Sequence, residues 1–422
     1  MRRTIRPAGS QRVGLYLDIV AACLDMFQRN AVEAFGGRFH VPCADEYPCL
    51  FSWDSGFHAL ALHRIDRSTA LEELRTLYFA NTTEAGLLSH ERPLPDAARR
   101  TQFVVETIGP IYRTDLKSWL IDPPVAAYAV ARIFDASRDD HALLEAASAH
   151  VLAIERQRTL AQGGLPAILH PLESGADASP MFDLLIEVSS REAYLVDLHE
   201  LSHGLAESGG APSRAFAAGH RFIVSDPIFC GWHLLALEAI ASAWRRAGDA
   251  LRALQFEEGA KIVADRMLQT LWSEELCLFV GFDHVQQRRL ETATLGGVIA
   301  AASANIIAPG IGARVAATHL RPGSSQFWGE AGIAFNPLRG GSSFVEGMLW
   351  RGPVASGATQ YWSHLVLRET GAPSDAERVR DQLRKLIERF GFREFYDAET
   401  GAGLGAGSPG GFTWPALILD MS

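Results

Sequence analysis

Cysteine is scarce: Cys23, Cys43, Cys49, Cys230 and Cys277 are the only five in 422 positions. An odd, dispersed set argues against a disulfide framework and reads as reduced cytosolic thiols, so a cytoplasmic location is expected. Cys43 and Cys49 form the nearest pair, and no second pair or histidine set accompanies them; no metal site is expected. No run of eighteen apolar residues is present, so no membrane span is expected. The basic start "MRRTIRPAGSQRV" leads into "GLYLDIVAACLDMF", where Asp18 and Asp25 interrupt what would be the apolar core of a signal peptide. Positive charge is also short: the formal net charge is −10, which argues against nucleic acid or an anionic membrane as partner. A small neutral or polar substrate fits better. "GLGAGSPGG" is glycine-rich but lacks the lysine and preceding strand of a phosphate loop, and neither "GSSQF" nor "GSPGG" is a nucleophile elbow.

What the chain does have is helical periodicity. Asp226 and Pro227 open a segment with Leu234, Leu237, Ala241 and Trp244 at three- and four-residue spacing, and Gly248 stops it. Asp249 opens the next, so the two predict an antiparallel helical hairpin. Comparable segments are predicted near 12–31, 53–65, 68–82, 123–135, 139–159, 190–206, 211–222, 292–305, 310–319, 354–370, 374–389 and 412–420. Strand-like runs are short, as in "CLFVGF" (277–282) and "QFVVETI" (102–108). The expectation is an all-α fold of paired helices with a few small ribbons, and no linker cuts it, so residues 1–422 are expected to be one domain with residues 1–10 as a flexible tail. About a dozen paired helices suit either a closed ring of hairpins or an open solenoid; no 34- or 40-residue consensus repeat favours the solenoid.

The long connections carry the unusual residues. "GLPAILHPLESGADASPMFD" (164–183) packs two glycines, three prolines and the carboxylates Glu173, Asp177 and Asp183 between two helical segments. Connections of two to eight residues are usual there. Trp53, Trp119, Trp328, Trp350 and Trp414 each lie in such loops beside Gly, Pro, Arg or a carboxylate, a setting that suits the apolar face of a sugar ring as well as a core. Two carboxylates stand out for chemistry: Asp177 in its Gly/Ala/Ser-rich bend, and Glu394 before Tyr396 and a glycine-rich flap. Glycosidases use such a pair. Glu173, Glu330, Glu346 and Asp54 compete for either role, and a loop aspartate can equally be a helix cap.

In chain order, these loops resemble glycoside hydrolase family 63, the inverting α-glycosidases with an (α/α)6 barrel, and more distantly the trehalases of family 37. "FSWDSGFHALAL" resembles the family's Trp-Asp-Ser/Thr-x-Phe segment, "IDPPVAAYAV" its Gln-Pro-Pro segment, and "LESGADASPMFD" its Glu-Ser-Gly-x-Asp-x-Ser-Pro-x-x-Asp segment. "LWRGPV" and "FREFYDAETGAGLG…FTWPALILD" resemble its closing motifs. The compact length is similar to bacterial members that hydrolyse mannosylglycerate or glucosylglycerate.

Carried over, the resemblance implies Asp177 as general acid and Glu394 as general base. It implies Trp53 and Asp54 around the sugar, Trp350, Arg351 and Trp414 along the pocket, Tyr47 at its mouth, and Asp122 and Gly175 among the substrate contacts. No cofactor is implied. Asp122 departs from the family's Gln, Met181-Phe182 from its Arg-Trp, and Ala355-Ser356-Gly357 from its Trp-Pro; these changes are expected to touch sugar or aglycone contacts. The rivals are a sugar epimerase or isomerase, which needs paired histidines in the cleft, and a non-catalytic sugar-binding protein.

Overall fold

The computed structural model describes residues 9–422 except 139, 162–163, 304–305, 309, 324, 346–347 and 408–409. Of the expected tail, residues 1–8 lie outside the described residues, and 9–10 begin the first helix. The helices run in the order α1 Gly9–Asn30, α2 Ser52–Leu62, α3 Arg67–Asn81, α4 Ala98–Thr107, α5 Val125–Ile133, α6 His141–Gln157 and α7 Arg191–Ser208. They continue with α8 Pro212–Ala217, α9 Pro227–Arg246, α10 Ala250–Thr270, α11 Ile311–His319, α12 Gly357–Glu369 and α13 Pro373–Phe390. Where helices are predicted over 292–305 and 412–420, the chain forms 3-10 helices at Leu295–Ala302 and Trp414–Asp420. Five small antiparallel sheets of two or three strands complete the described residues, so the protein is mostly helical.

Local chemistry sets the boundaries. The Asp226 carboxylate accepts from the Phe229 amide at 2.9 Å to start α9, with Pro227 in its first turn. Asp249 caps α10 in the same way through the Arg252 amide, and Ser356 and Thr359 form a reciprocal capping box on α12.

Packing follows a cyclic order. Helix α2 packs on α5, α5 on α9, α9 on Leu295–Ala302, that segment on α12, α12 on Trp414–Asp420, and the last returns to α2. A second layer lies outside: α3 backs α2, α6 backs α5, α10 backs α9, α11 backs Leu295–Ala302, and α13 backs α12. Sequence follows position. Every residue of α2 is buried, as an inner element demands, whereas α13 buries one stripe, Ala376, Val379, Leu383, Leu386 and Ile387. Helix α9 is long and apolar enough to cross a membrane by composition, and 83% of that window is buried inside the protein, as in a core helix.

A further element differs from the sequence reading. "QFVVETI" reads as a strand but lies in α4 and its C-cap. An isolated strand leaves its backbone unpaired; the helix instead turns Arg100, Phe103, Val104 and Thr107 toward one side. Beneath α4, a second apolar cluster of Val104, Ile111, Leu120, Leu169, Leu205 and Ile223 ties it to α7 and α8.

Candidate active site

Loops at the start of the inner elements enclose a cleft of about 320 Å³. Tyr47, Trp53, Asp54, Asp122, Gly175, Asp177, Trp350, Glu394 and Trp414 all line it. These residues span most of the chain.

Asp177 arrives on a braced loop. The Glu173 carboxylate, fully buried, is paired with the equally buried Arg158 and accepts from the Ile121 and Leu169 amides at 3.0 and 2.7 Å. After this anchor Gly175 turns the chain at φ +74°, where a Cβ would stand 2.5 Å from the Trp53 ring. Only glycine meets both demands. Asp177 then faces the cleft, half-buried, and accepts a hydrogen bond from the Tyr194 hydroxyl of α7 at 2.8 Å. Burial pushes its proton affinity up, and the Tyr194 bond pulls it partly back.

Glu394 precedes the strand Phe395–Asp397, which pairs with Val354–Ser356 and Gly403–Leu404. Its Oε1 accepts from the Tyr47 hydroxyl at 2.8 Å and its Oε2 from the Ala406 amide at 2.9 Å. Gly405 is required beside it, because a Cβ there would lie 2.6 Å from Oε2. Burial raises the proton affinity of Glu394, the two donors oppose this, and the charge of Asp177 adds to the rise. Two carboxyls of perturbed affinity thus share one cleft, and Glu394 feels the charge of Asp177, the arrangement that acid-base chemistry needs.

Around them, the Trp414 indole donates to Asp54 Oδ1 at 2.7 Å. Burial nevertheless pushes Asp54 up to about 8, helped by Asp122 and Glu394. Asp122 accepts from the Ser52 hydroxyl and the Trp53 amide at 2.8 and 3.0 Å, and pairs with His90. Burial works against charge on His90, but Asp122, Glu91 and Asp54 overcome it and raise the ring to about 9. Asp122 therefore ties the first turn of α2 to the segment before α5. Deeper in, Glu73 joins His40 and His58, and His58 reaches the Thr413 hydroxyl at 2.8 Å, fixing the residue before Trp414.

Several expected residues stand elsewhere. Arg351 does not line the cleft; it is buried and its guanidinium grips Asp183. Trp119 lies under the Arg113 guanidinium at 3.7 Å, and Trp328 is bridged to Ile333; neither lines the cleft. Glu173 is held by its ion pair, Glu330 is exposed outside the cleft, and Glu346 lies outside the described residues. Met181-Phe182 and Ala355-Ser356-Gly357, expected at substrate contacts, serve packing: Met181 accepts from the Gly281 amide, Phe182 meets Phe222, and Ser356 caps α12. Conversely, His90, Arg100, Arg191, Tyr194 and Phe412 line the cleft without having been singled out in the sequence. Tyr194 carries a readable signal only in hindsight, since it falls in the apolar stripe of a helix. His199 and His203, in the HExxH spacing of zinc peptidases, sit one turn apart on α7 outside the cleft lining. Among the described residues no group of three or more ligand-type side chains is arranged to hold a metal ion.

A family model for the mannosylglycerate hydrolase MGH1-like glycoside hydrolase domain matches residues 47–414. The chain belongs to that family. It is accordingly a glycoside hydrolase, and with one histidine, His90, lining the described cleft, the paired-histidine epimerase reading loses its support. The chain is similar to a mannosylglycerate hydrolase of Rubrobacter radiotolerans, with 27% identity over 91% of this chain and 93% of the relative. It shares its fold with a family 63 mannosylglycerate hydrolase of Thermus thermophilus solved with Tris and D-glycerate. There the TM-score is 0.74 at 22% identity, over 96% of this chain and 99% of that one. The neutral trehalase Nth1 of Saccharomyces cerevisiae is a more distant structural neighbour, at TM-score 0.56 and 16% identity over 94% of this chain and 78% of that one.

Proposed function

We propose that the protein is an inverting α-glycosidase acting on a small α-mannoside or α-glucoside, of the mannosylglycerate or glucosylglycerate kind. Asp177 is the general acid and Glu394 the general base. The observation that carries this reading is the pair of carboxyls in one cleft, each with its proton affinity raised by burial and each held by a tyrosine hydroxyl. The names of the similar proteins, and the glycerate bound in one of them, support a glycerate-linked sugar. The cyclic packing of six inner elements, backed by outer helices, supports an (α/α)6 barrel folded as one domain.

In this mechanism protonated Asp177 donates to the glycosidic oxygen as its bond to the anomeric carbon breaks. Glu394 takes a proton from water as that water's oxygen bonds the opposite face of the same carbon. Tyr47 orients the base, while Trp53, Trp350 and Trp414 offer rings to the sugar. Incubation with mannosylglycerate and glucosylglycerate tests the reading: release of free hexose and glycerate by the wild type, abolished in Asp177→Asn, is expected. Release that survives in that variant overturns the assignment of the acid.

A further inference from the structure

Two helices form the outer wall of the cleft, and both present the same pattern to it. From α4 come Arg100, Phe103, Val104 and Thr107; from α7 come Arg191, Tyr194, Leu195 and Leu198. Each set is one helical face at spacings of three, four and seven residues, led by an arginine near the helix N-terminus. A cation there opposes the helix dipole, so these positions are not explained by helix stability.

The α7 face of this wall lies on the leaving-group side. Tyr194 holds Asp177, the proposed acid, and an acid must stand beside the oxygen that departs. This wall is largely apolar, whereas glycerate presents a carboxylate and hydroxyls. Ile108, Ile111, Leu172 and Leu349 extend it, and Phe103, which faces the cleft, is 52% exposed. Uncovered large apolar side chains at a cleft mark where an apolar ligand group sits.

The arginines add a charge requirement. Arg191 is exposed and makes no ion pair among the described residues; Arg100, whose Nε is buried with no hydrogen-bond partner there, already sits in the field of Glu91. An anionic ligand group is repelled by ionised Glu394, the proposed base, and is favoured toward Arg191, while Asp122 is already paired with His90.

We infer that the leaving-group side of this cleft takes an acidic aglycone with an apolar body, an aryl- or alkyl-substituted hydroxy acid, in preference to bare glycerate. This rests on the hydrolase reading above, with Asp177 on the aglycone side.

The test uses the intact chain and the α-mannosides and α-glucosides of two hydroxy acids, glycerate and 3-phenyllactate, each joined through the 2-oxygen. The two differ by a phenyl in place of a hydroxyl and keep the carboxylate in the same position relative to the glycosidic bond. The kcat/KM for the phenyllactyl glycoside is expected to exceed that for the glyceryl one by about tenfold or more, the scale of discrimination an apolar pocket supplies. Phe103→Ser and Leu195→Ser should each lower that ratio at least threefold; both positions are partly exposed, so neither substitution opens the core. Hydrolysis of the glyceryl glycoside with an equal or smaller kcat/KM for the phenyllactyl one overturns the inference and leaves the hydrolase reading standing. If neither glycoside is cleaved, the hydrolase reading fails, and calorimetry with the free acids decides the subsite alone. At least tenfold tighter binding of 3-phenyllactate supports it, and equal binding overturns it.

Discussion

The Tyr47 hydroxyl donates to Glu394 Oε1 at 2.8 Å, joining residues 347 positions apart in the chain. In the same cleft, the Tyr194 hydroxyl does the same for Asp177. Each bond favours the charged form of its carboxyl against the burial that disfavours it.

Removing either hydroxyl should therefore move one limb of the pH profile. Tyr47→Phe lets the Glu394 affinity rise further. Because the base must be ionised, the acidic limb of kcat/KM should shift to higher pH. Tyr194→Phe lets Asp177 rise, and because the acid must be protonated, the alkaline limb should shift to higher pH. Rate profiles from pH 4 to 10 check both, and a limb that moves to lower pH contradicts the corresponding assignment.

The two carboxyls themselves should be indispensable in different ways. Glu394→Gln should cost about 10²–10⁴ in kcat, the usual range for a general base, while sugar binding by calorimetry persists. A loss of binding equal to the loss of rate would instead make Glu394 a substrate contact.

Asp54 bears on stability. Its carboxyl holds a proton up to about pH 8 in the folded protein, against an ordinary value of 3.8. Between about pH 4 and 8 the folded state thus binds the extra proton, and stability falls as pH rises through that window. Asp54→Asn, whose amide oxygen can still accept from Trp414, should remove up to about 1.4 kcal/mol per pH unit of that slope. Denaturant melts at pH 5 and 8 measure it; an unchanged slope shows that Asp54 is ionised when folded.

The Arg158–Glu173 pair, with both side chains fully buried, braces the Asp177 loop. Arg158→Met leaves Glu173 without its counter-ion, and a loss of about 3–5 kcal/mol is expected, as for other broken buried pairs. Urea unfolding checks the size. A loss below about 1 kcal/mol would mean that the two backbone amides on Glu173 suffice.

Helix starts were legible wherever capping chemistry is local: Asp226-Pro227 and Asp249 open helices α9 and α10. The strand-like "QFVVETI" misled because its apolar residues face a cleft and solvent, so local propensity competes with contacts that sequence does not reveal. For the cleft lining, Asp177, Glu394, Trp53, Trp350 and Trp414 were readable because sequence motifs carry them, in loops or in the first turn of a helix. Arg351 resembled a substrate contact but its terminal nitrogens grip Asp183, and the choice between those partners depends on packing across 168 positions. Arg100 and Arg191 were silent for the same reason: a helix-borne arginine looks solvated until a cavity is found beside it.

Proton NMR during the first minutes of hydrolysis of an α-mannoside or α-glucoside tests the account most directly, because the anomer released reports the displacement before mutarotation. Single displacement with Asp177 as acid and Glu394 as base gives the β-anomer first. Initial release of the α-anomer would contradict it.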